Sequence, residues 1–251
     1  TITFKITGDD SDKFSFSTST TTDQTTVNTS QAGYTSSSKE FLAPLYFISQ
    51  PDYETPGSNA NSNTYTIDVS YTDTGTNSVS TASNTITVTD TDEAPVITSD
   101  SGGDTASINY DENGTSAVTT VVSTDDDASS TATYSISGTD VDDFSIDSSS
   151  GALTFVSDPD FEIPTDSDTD NSYTVVVTVT DNNSLTDTQT LTITVTDVNE
   201  VPTASVLSNT VAEDIDRTST AAIELKATDV DASETITFKI TGDDSDKFSF
   251  S

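Results

Sequence analysis

Short runs in which apolar and hydroxyl residues alternate constrain the fold of this chain more than any other feature. The clearest run is 191–196, with the sequence LTITVT. Because neighbouring side chains of a strand point to opposite faces, a period of two predicts a half-buried β-strand. No helical pattern is convincing in the sequence. We therefore predict an all-β fold of tandem antiparallel Greek-key β-sandwiches.

An acidic cluster closed by a proline follows this strand. The cluster is 197–202, DVNEVP, and a second copy, DTDEAP at 90–95, lies 107 residues earlier. Since proline lacks a backbone donor and restricts the residue before it, each cluster predicts a short, stiff joint between two modules. Carboxylates this close repel one another unless a cation lies between them. Ca²⁺ is the simplest candidate, because hard cations bind several oxygens at once.

The charge balance excludes one class of partner. The chain has 43 acidic and 7 basic residues, a formal net charge of −36, so it repels nucleic acid and disfavours anionic membrane surfaces. Hydrophobic residues make up only 31%, close to the composition of disordered chains. Their concentration in alternating runs still allows a sheet face to be buried.

Several kinds of chemistry are missing from the sequence. It contains no cysteine and no histidine, so it has no disulfide framework and lacks the commonest general base. It has no apolar run of about 18 residues and no signal peptide at residue 1, and its strand-like opening indicates a piece of something longer. Carboxylate pairs can hydrolyse glycosides, but they are inevitable in so acidic a chain, and we predict no enzyme.

An exact internal repeat defines the domain organisation. Residues 1–17 recur unchanged at 235–251, a period of 234 residues, which indicates a repeating unit of more than one module. The joints predict one complete module at 92–197. It is flanked by the C-terminal part of a longer module at 1–91 and the N-terminal part of the next at 198–251. An inserted loop at about 18–45, which is either decoration or a functional site, accounts for the longer module.

Eight strands are predicted in the complete module. They lie near Val96–Thr98, Ala106–Tyr110, Ala117–Val122, Ala132–Ser137, Phe144–Asp147, Ala152–Val156, Tyr173–Asp181 and Asp187–Thr196. Residues that share one face of the longest strand, and their counterparts in the first module, are predicted to be core. These are Tyr173, Val175, Val177, Val179, Tyr65, Ile67, Val69 and Tyr71. The alignment also pairs Phe14 with Phe144 and Phe47 with Phe155.

These motifs resemble the cadherin repeat, in the form found in very long bacterial surface adhesins. Residues 144–153 are similar to the family's F-x-I-D…G-x-L/I stretch, and 160–162, DFE, to its Asp-x-Glu motif. Further matches are Glu112 at the family's early glutamate, 125–127 at its Asp-x-Asp, Asp181 at the end of the long strand, and 197–200 at the linker. The linker is one residue shorter than the animal form and has Glu where Asp is usual.

The resemblance implies that each joint holds several Ca²⁺ ions between the base of one module, the linker and the top of the next. The implied ligands at the first joint are Asp52, Glu54, Asp90, Asp92, Glu93, Asp125, Asp127 and Asp181. Those at the second joint are Glu112, Asp160, Glu162, Asp197, Asn199, Glu200, Asp229 and Asp231. The implied function is a calcium-rigidified extender of an adhesin or filament on the bacterial cell surface, mediating calcium-dependent adhesion.

Two other expectations concern partners. Because 198–251 complements 1–91, successive chains could complete a split module head to tail by strand addition. The alternative function is a carbohydrate- or protein-binding module that uses loop 18–45. Tyr34, Phe41, Tyr46 and Phe47 could form an aromatic platform for a sugar there, or pack in the core.

Overall fold

The chain forms two compact units. A computed structural model describes residues 2–16, 26–28, 33–35, 40–42, 44–73, 79–127, 130–214, 216, 221–231 and 234–250. The first unit comprises Thr1–Glu93 with Asp126–Ser129, and the second comprises Ala94–Asp125 with Ser130–Ser251. The division into one complete and two partial modules stays a prediction.

The first unit is built on one four-stranded antiparallel sheet. Its strands are β1 (Ile2–Thr7), β2 (Phe14–Ser15), β3 (Thr26–Asn28), β4 (Gly33–Thr35), β5 (Glu40–Leu42), β6 (Tyr46–Phe47), β7 (Thr64–Asp73) and β8 (Val79–Thr87). The main sheet has the order β3-β1-β7-β8, and β2 pairs with β6 and β4 with β5. Strands β3 to β5 lie in the inserted loop, so the insertion extends the main sheet at β1 and adds a hairpin.

The second unit contains the predicted strands, although the third is shortened to two residues and is followed by one short strand that was not predicted. They are β9 (Val96–Ile97), β10 (Thr105–Asp111), β11 (Thr119–Thr120), β12 (Ser123–Thr124), β13 (Thr133–Ser137), β14 (Phe144–Ile146), β15 (Ala152–Phe155), β16 (Ser172–Thr180) and β17 (Thr186–Thr196). After them come β18 (Thr203–Ser208) and β19 (Glu224–Thr228), which pair with each other. Among the described residues, the only helical elements are three short 3₁₀ turns.

One strand pairing departs from the antiparallel pattern. The largest sheet of the second unit has the order β10-β17-β16-β13, in which β10 lies parallel to β17. The other ladders of this unit are antiparallel. A Greek-key connection brings an early strand beside the last one. Residue alternation predicts each strand but carries no information on its direction, so the parallel pair was not predicted.

Both units bury the same aromatic cluster. In the first unit the rings of Phe14 and Phe47 lie 4.5 Å apart, and Tyr65 packs edge-on against both at 5.8 and 5.1 Å. In the second unit Phe144, Phe155 and Tyr173 repeat this arrangement, at 4.4, 5.9 and 5.2 Å. Phe14 pairs with Phe47, and Phe144 with Phe155, on neighbouring strands. The predicted alignment of these residues is therefore confirmed.

The core residues confirm the predicted alternation, with one exception. Tyr173, Val175, Val177 and Val179 are fully buried, as are Tyr65 and Ile67, and Val69 packs partly buried against the first core. The prediction for Tyr71 was wrong, because its side chain is 44% exposed. Tyr71 lies near the end of β7, beyond the aromatic cluster. Its ring centroid lies 6.5 Å from that of Phe4.

A buried aspartate fixes the turn after β1 in the first unit and after its equivalent, β13, in the second. Asp10 accepts hydrogen bonds from the backbone N–H groups of Asn59 at 2.6 Å and Thr66 at 2.7 Å. Asp140 accepts the equivalent bonds from Ser167 and Thr174 at 2.9 and 2.7 Å. Each carboxylate thereby ties a 3₁₀ turn to the long central strand and the loop before it.

Candidate metal centre

Five carboxylates gather around the second joint, within the second unit. Glu112, Glu162 and Asp197 form one group and Glu162, Glu200 and Asp231 another, and in each group one oxygen per residue lies within 4.8 Å of the others. Because Glu162 belongs to both groups, the residues form one continuous site, which we call the five-carboxylate cluster. Side chains from before, within and after the linker contribute to it.

Glu112 anchors this cluster to the linker. It follows β10 directly, is only 4% exposed, and its backbone N–H donates to the carbonyl oxygen of Thr196 at 3.1 Å. Its Oε1 accepts from the N–H of Val198 at 2.7 Å, and its Oε2 accepts from the N–H of Phe161 at 2.9 Å. One buried carboxylate thus holds the start of the linker and the loop that carries Glu162.

Asp231, which follows the linker in the sequence, binds the linker backbone at Glu200. It is 6% exposed, and its Oδ2 accepts from the backbone N–H of Glu200 at 2.9 Å. The Oε1 of Glu200 accepts from Nδ2 of Asn113 at 2.9 Å. The other oxygen of Glu200, Oε2, is buried and has no hydrogen-bond partner among the described residues. A buried oxygen without a donor is rare in folded proteins, and a bound ion is one way in which it is satisfied.

The electrostatics of the cluster favour a cation. The pKa of Glu162 is raised by partial desolvation and by the negative charge of Glu112. Desolvation also raises the pKa of Asp197, with repulsion from Asp231, and the pKa of Glu200, with repulsion from Glu112 and Asp231. The carboxylates therefore destabilise one another, and a bound cation would remove that repulsion.

The donor set fits Ca²⁺. All five side chains offer carboxylate oxygens, which are the ligands of hard divalent cations. The sequence has no histidine or cysteine, so the nitrogen and sulfur ligands that soft metals prefer are missing. Glu112, Glu162, Asp197, Glu200 and Asp231 would hold the ion or ions.

A smaller version of the site lies in the first unit. Glu54, Asp90, Glu93 and Asp127 bring one carboxylate oxygen each within 4.8 Å of the others, and we call them the four-carboxylate cluster. The N–H of Glu93 donates to Oδ2 of Asp127 at 3.0 Å, as that of Glu200 does to Asp231. Desolvation, then neighbouring carboxylates, raise the pKa values of Glu54 and Glu93.

Four other predicted ligands have a backbone contact in the described structure. Asp52 accepts from the N–H of Thr55 at 2.8 Å, and Asp160 accepts from the N–H groups of Glu162 and Ile163 at 3.0 Å. Asp229 accepts from the N–H of Asp231 at 3.3 Å, and Nδ2 of Asn199 donates to the carbonyl oxygen of Glu200. They lie outside the clusters defined above and stay predicted ligands.

Asp92, Asp125 and Asp181, predicted at the first joint, are likewise outside the four-carboxylate cluster. Asp125 accepts from Oγ of Ser130 at 2.6 Å. Asp181 is buried, and its Oδ1 accepts from the N–H groups of Asn183 and Leu185, both at 2.8 Å. Its Oδ2 is buried without a partner in the part of the chain that the structure describes. These three residues stay predicted ligands.

A further acidic group was not predicted from the sequence. Asp166, Asp168 and Asp170 place one oxygen each within 4.8 Å of the others. Asp166 is buried and accepts from the N–H groups of Asp170 and Asn171 at 2.8 and 3.1 Å. The signal that could have revealed the group is the alternation of aspartates in DSDTDN at 166–171.

The structure describes only part of loop 18–45, the alternative binding site. Phe47 packs in the aromatic cluster, which leaves it unsuited to a sugar platform. Tyr46 is exposed. The side chains of Tyr34 and Phe41, and the backbone of 17–25, 29–32, 36–39 and 43, lie outside the described residues, so this function stays a prediction.

No helix among the described residues has the length and apolar character of a membrane span.

Comparison with known proteins points to one family. The Cadherin domain model matches residues 105–196, while no curated protein matches the chain. The crystal structure of the protocadherin gamma B4 extracellular domain is 24% identical over 90% of this chain, with a TM-score of 0.51. This chain spans 32% of that structure's length.

Two other solved structures show lower scores. Mouse cadherin-23 repeats EC22-24 are 21% identical over 78% of this chain and 53% of theirs, with a TM-score of 0.43. Human protocadherin-24 EC1-2 is 18% identical over 78% of this chain and 82% of its own, with a TM-score of 0.46. These comparisons indicate no enzyme family. The all-β structure, together with the TM-score of 0.51 to the protocadherin gamma B4 domain, shows the fold of a cadherin-like sandwich, and residues 105–196 match the Cadherin domain.

Proposed function

We propose that this chain is a calcium-rigidified extender of an extracellular adhesin or filament, on the bacterial cell surface, that serves calcium-dependent adhesion. The observation that carries the proposal is the five-carboxylate cluster, with the buried, unpartnered Oε2 of Glu200. The match of 105–196 to the Cadherin domain supports the same function.

The mechanism is electrostatic. Without a cation, the carboxylates of Glu112, Glu162, Asp197, Glu200 and Asp231 repel one another across the linker. Bound Ca²⁺ neutralises them and joins the residues before the linker to Asp231 after it, so the linker is held at one angle. Because Ca²⁺ would bind the folded state and not the unfolded state, its binding also stabilises the fold.

A matched pair of variants tests this mechanism. Glu162→Gln removes the carboxylate shared by both groups, whereas Asp104→Asn neutralises an exposed aspartate that belongs to neither. Calcium titration by calorimetry should show weaker binding for Glu162→Gln and unchanged binding for Asp104→Asn. Equal binding by both variants would show that the cluster is only surface charge.

A further inference from the structure

The first and the last strand of the segment 105–196 lie side by side and run in the same direction. β10 begins at Thr105 and β17 ends at Thr196, and their register runs from the pair Thr105–Thr190 to the pair Asp111–Thr196. The match to the Cadherin domain covers the same segment. One parallel ladder therefore joins the two ends through which the neighbouring parts of the chain can pull on this segment.

Tension along the chain loads this ladder in shear. It pulls β10 at its N-terminal end and β17 at its C-terminal end, and because the two strands are parallel, these pulls slide the strands past each other. The hydrogen bonds of a parallel ladder are evenly spaced along the strands, so they resist the sliding together. In an antiparallel pair the two loaded ends would lie at the same end of the ladder, and the bonds would break one after another.

Polar contacts continue the ladder beyond both of its ends. On the N-terminal side, Gln189 is fully buried, and its Nε2 donates to the carbonyl oxygen of Gly103 at 2.8 Å. On the C-terminal side, Oγ1 of Thr196 donates to Oδ1 of Asp111 at 2.7 Å, and the N–H of Glu112 donates to the carbonyl oxygen of Thr196 at 3.1 Å. Both ends that carry tension are therefore fixed to the neighbouring strand.

The strand before β10 is held by a much shorter ladder. β9 has two residues and pairs with β12 through Val96 and Ile97, whereas β10 has seven residues in register with β17. The N–H of Ile97 also donates to Oδ2 of Asp187 at 2.8 Å. Under tension from the N-terminal side, β9 should therefore detach first, and the pull then reaches β10.

We propose that the ladder between β10 and β17 is a mechanical clamp, the contact that sets the tension at which the segment 105–196 unfolds. The clamp rests on the strand direction, the register and the polar contacts at its ends, and it needs no bound ion. Its use in the cell rests on the extender function proposed above, because an extender carries tension between its two ends.

Pulling the protein in two directions tests the clamp. The chain has no cysteine, so introduced thiols give defined attachment points for handles in single-molecule force spectroscopy. Two double variants of the whole chain are compared, Thr105→Cys with Thr194→Cys and Thr105→Cys with Thr190→Cys, both kept reduced until the handles are attached. Thr105 and Thr194 are exposed and Thr190 is partly exposed. Thermal unfolding of both variants without handles is the control for folding.

The two variants differ only in the place on β17 at which the force acts. Thr190 is the register partner of Thr105, so handles at these residues peel β10 away from one end. Thr194 lies about 13 Å further along β17, so its handle pulls along the strands. We expect a clearly higher rupture force for the Thr105–Thr194 pair, followed by a length gain of about 300 Å as the segment between the handles extends. Equal rupture forces in the two directions would overturn the clamp.

Repeating the experiment in Ca²⁺ and in chelator separates the clamp from the calcium function. We expect the difference between the two directions to persist in chelator, because backbone groups make the ladder. Loss of the difference in chelator would show that bound ions hold the segment, and it would overturn the clamp. Failure of the extender function alone would give another result, namely a metal content that does not respond to chelator while the force difference remains.

Discussion

The same seventeen residues occur twice in this chain and fold differently. In the first copy Ile2–Thr7 forms β1 in the middle of the main sheet. In the second copy the described residues 234–250 form no strand. Since the sequences are identical, the difference lies in the partners, because β1 has β7 and β3 beside it.

The two copies have the same local structure at one place. Both contain a 3₁₀ turn, Ser11–Lys13 and Ser245–Lys247, with the N–H of each lysine donating to the aspartate carbonyl oxygen at 3.0 Å. Gly8 and Gly242 both have positive φ, at 100° and 113°. The turn is therefore encoded locally, whereas the strand requires another part of the sheet.

The largest expected difference between the copies concerns Phe14 and Phe248. Phe14 is 2% exposed in the aromatic cluster, whereas Phe248 is 47% exposed. Phe14→Ala should lower the free energy of unfolding of the first unit by about 3–5 kcal/mol, because a buried ring leaves a cavity. Phe248→Ala should cost less than about 1 kcal/mol. Urea unfolding followed by hydrogen exchange measures both, in peptides of the first unit for Phe14→Ala and in peptides of the second unit for Phe248→Ala.

The next difference concerns the turn aspartates. Asp10→Ala leaves the N–H groups of Asn59 and Thr66 without their acceptor and should cost about 2–4 kcal/mol. Asp244 is exposed, so Asp244→Ala should change stability by no more than about 0.5 kcal/mol. Equal costs in the same unfolding measurement would contradict the claim that tertiary partners distinguish the copies.

A smaller difference is expected for the glycines. A Cβ on Gly8 would lie 3.0 Å from the backbone nitrogen of Asp68, whereas one on Gly242 would meet nothing within 4 Å. Both alanine variants carry the strain of positive φ, about 1 kcal/mol. Gly8→Ala should therefore destabilise the chain by about 1 kcal/mol more than Gly242→Ala. Thermal unfolding of the two variants in parallel measures the difference.

The smallest effect is a dependence on pH whose sign depends on calcium. The pKa values of Glu162, Asp197 and Glu200 are raised in the folded chain, so the folded state binds more protons than the unfolded one as the pH falls through them. In chelator, lowering the pH from about 7 to about 5 should therefore raise the free energy of unfolding slightly. With calcium, protons compete with the ion and stability should fall. Urea unfolding at both pH values, with and without chelator, measures the sign.

Sequence patterns predicted the fold where alternation was strong. Apolar residues stand at every second position from Tyr173 to Val179, and the strand, face and burial of these residues were predicted correctly. The parallel pairing of β10 and the exposure of Tyr71 were not predicted, because both depend on neighbouring strands that periodicity does not specify. The identical segments 1–17 and 235–251 show the same limit most directly.

The sequence predicted a set of acidic residues at the second joint but not which of them lie together. Glu112, Glu162, Asp197, Glu200 and Asp231 were among the predicted ligands, and their carboxylates meet in the structure. Spacing alone could not separate them from Asp160 and Asp229, whose carboxylates accept backbone N–H groups in the structure and lie outside the cluster. The group at 166–170 was missed because its aspartates lie within one loop, away from either joint.

Small-angle scattering of the chain in Ca²⁺ and then in chelator, with metal content measured on the same sample, tests the central claim most directly. We predict bound Ca²⁺ and an elongated particle that becomes shorter and more flexible when the metal is removed. A scattering curve and a metal content that do not respond to chelator would contradict the extender function and leave the joint carboxylates as surface charge.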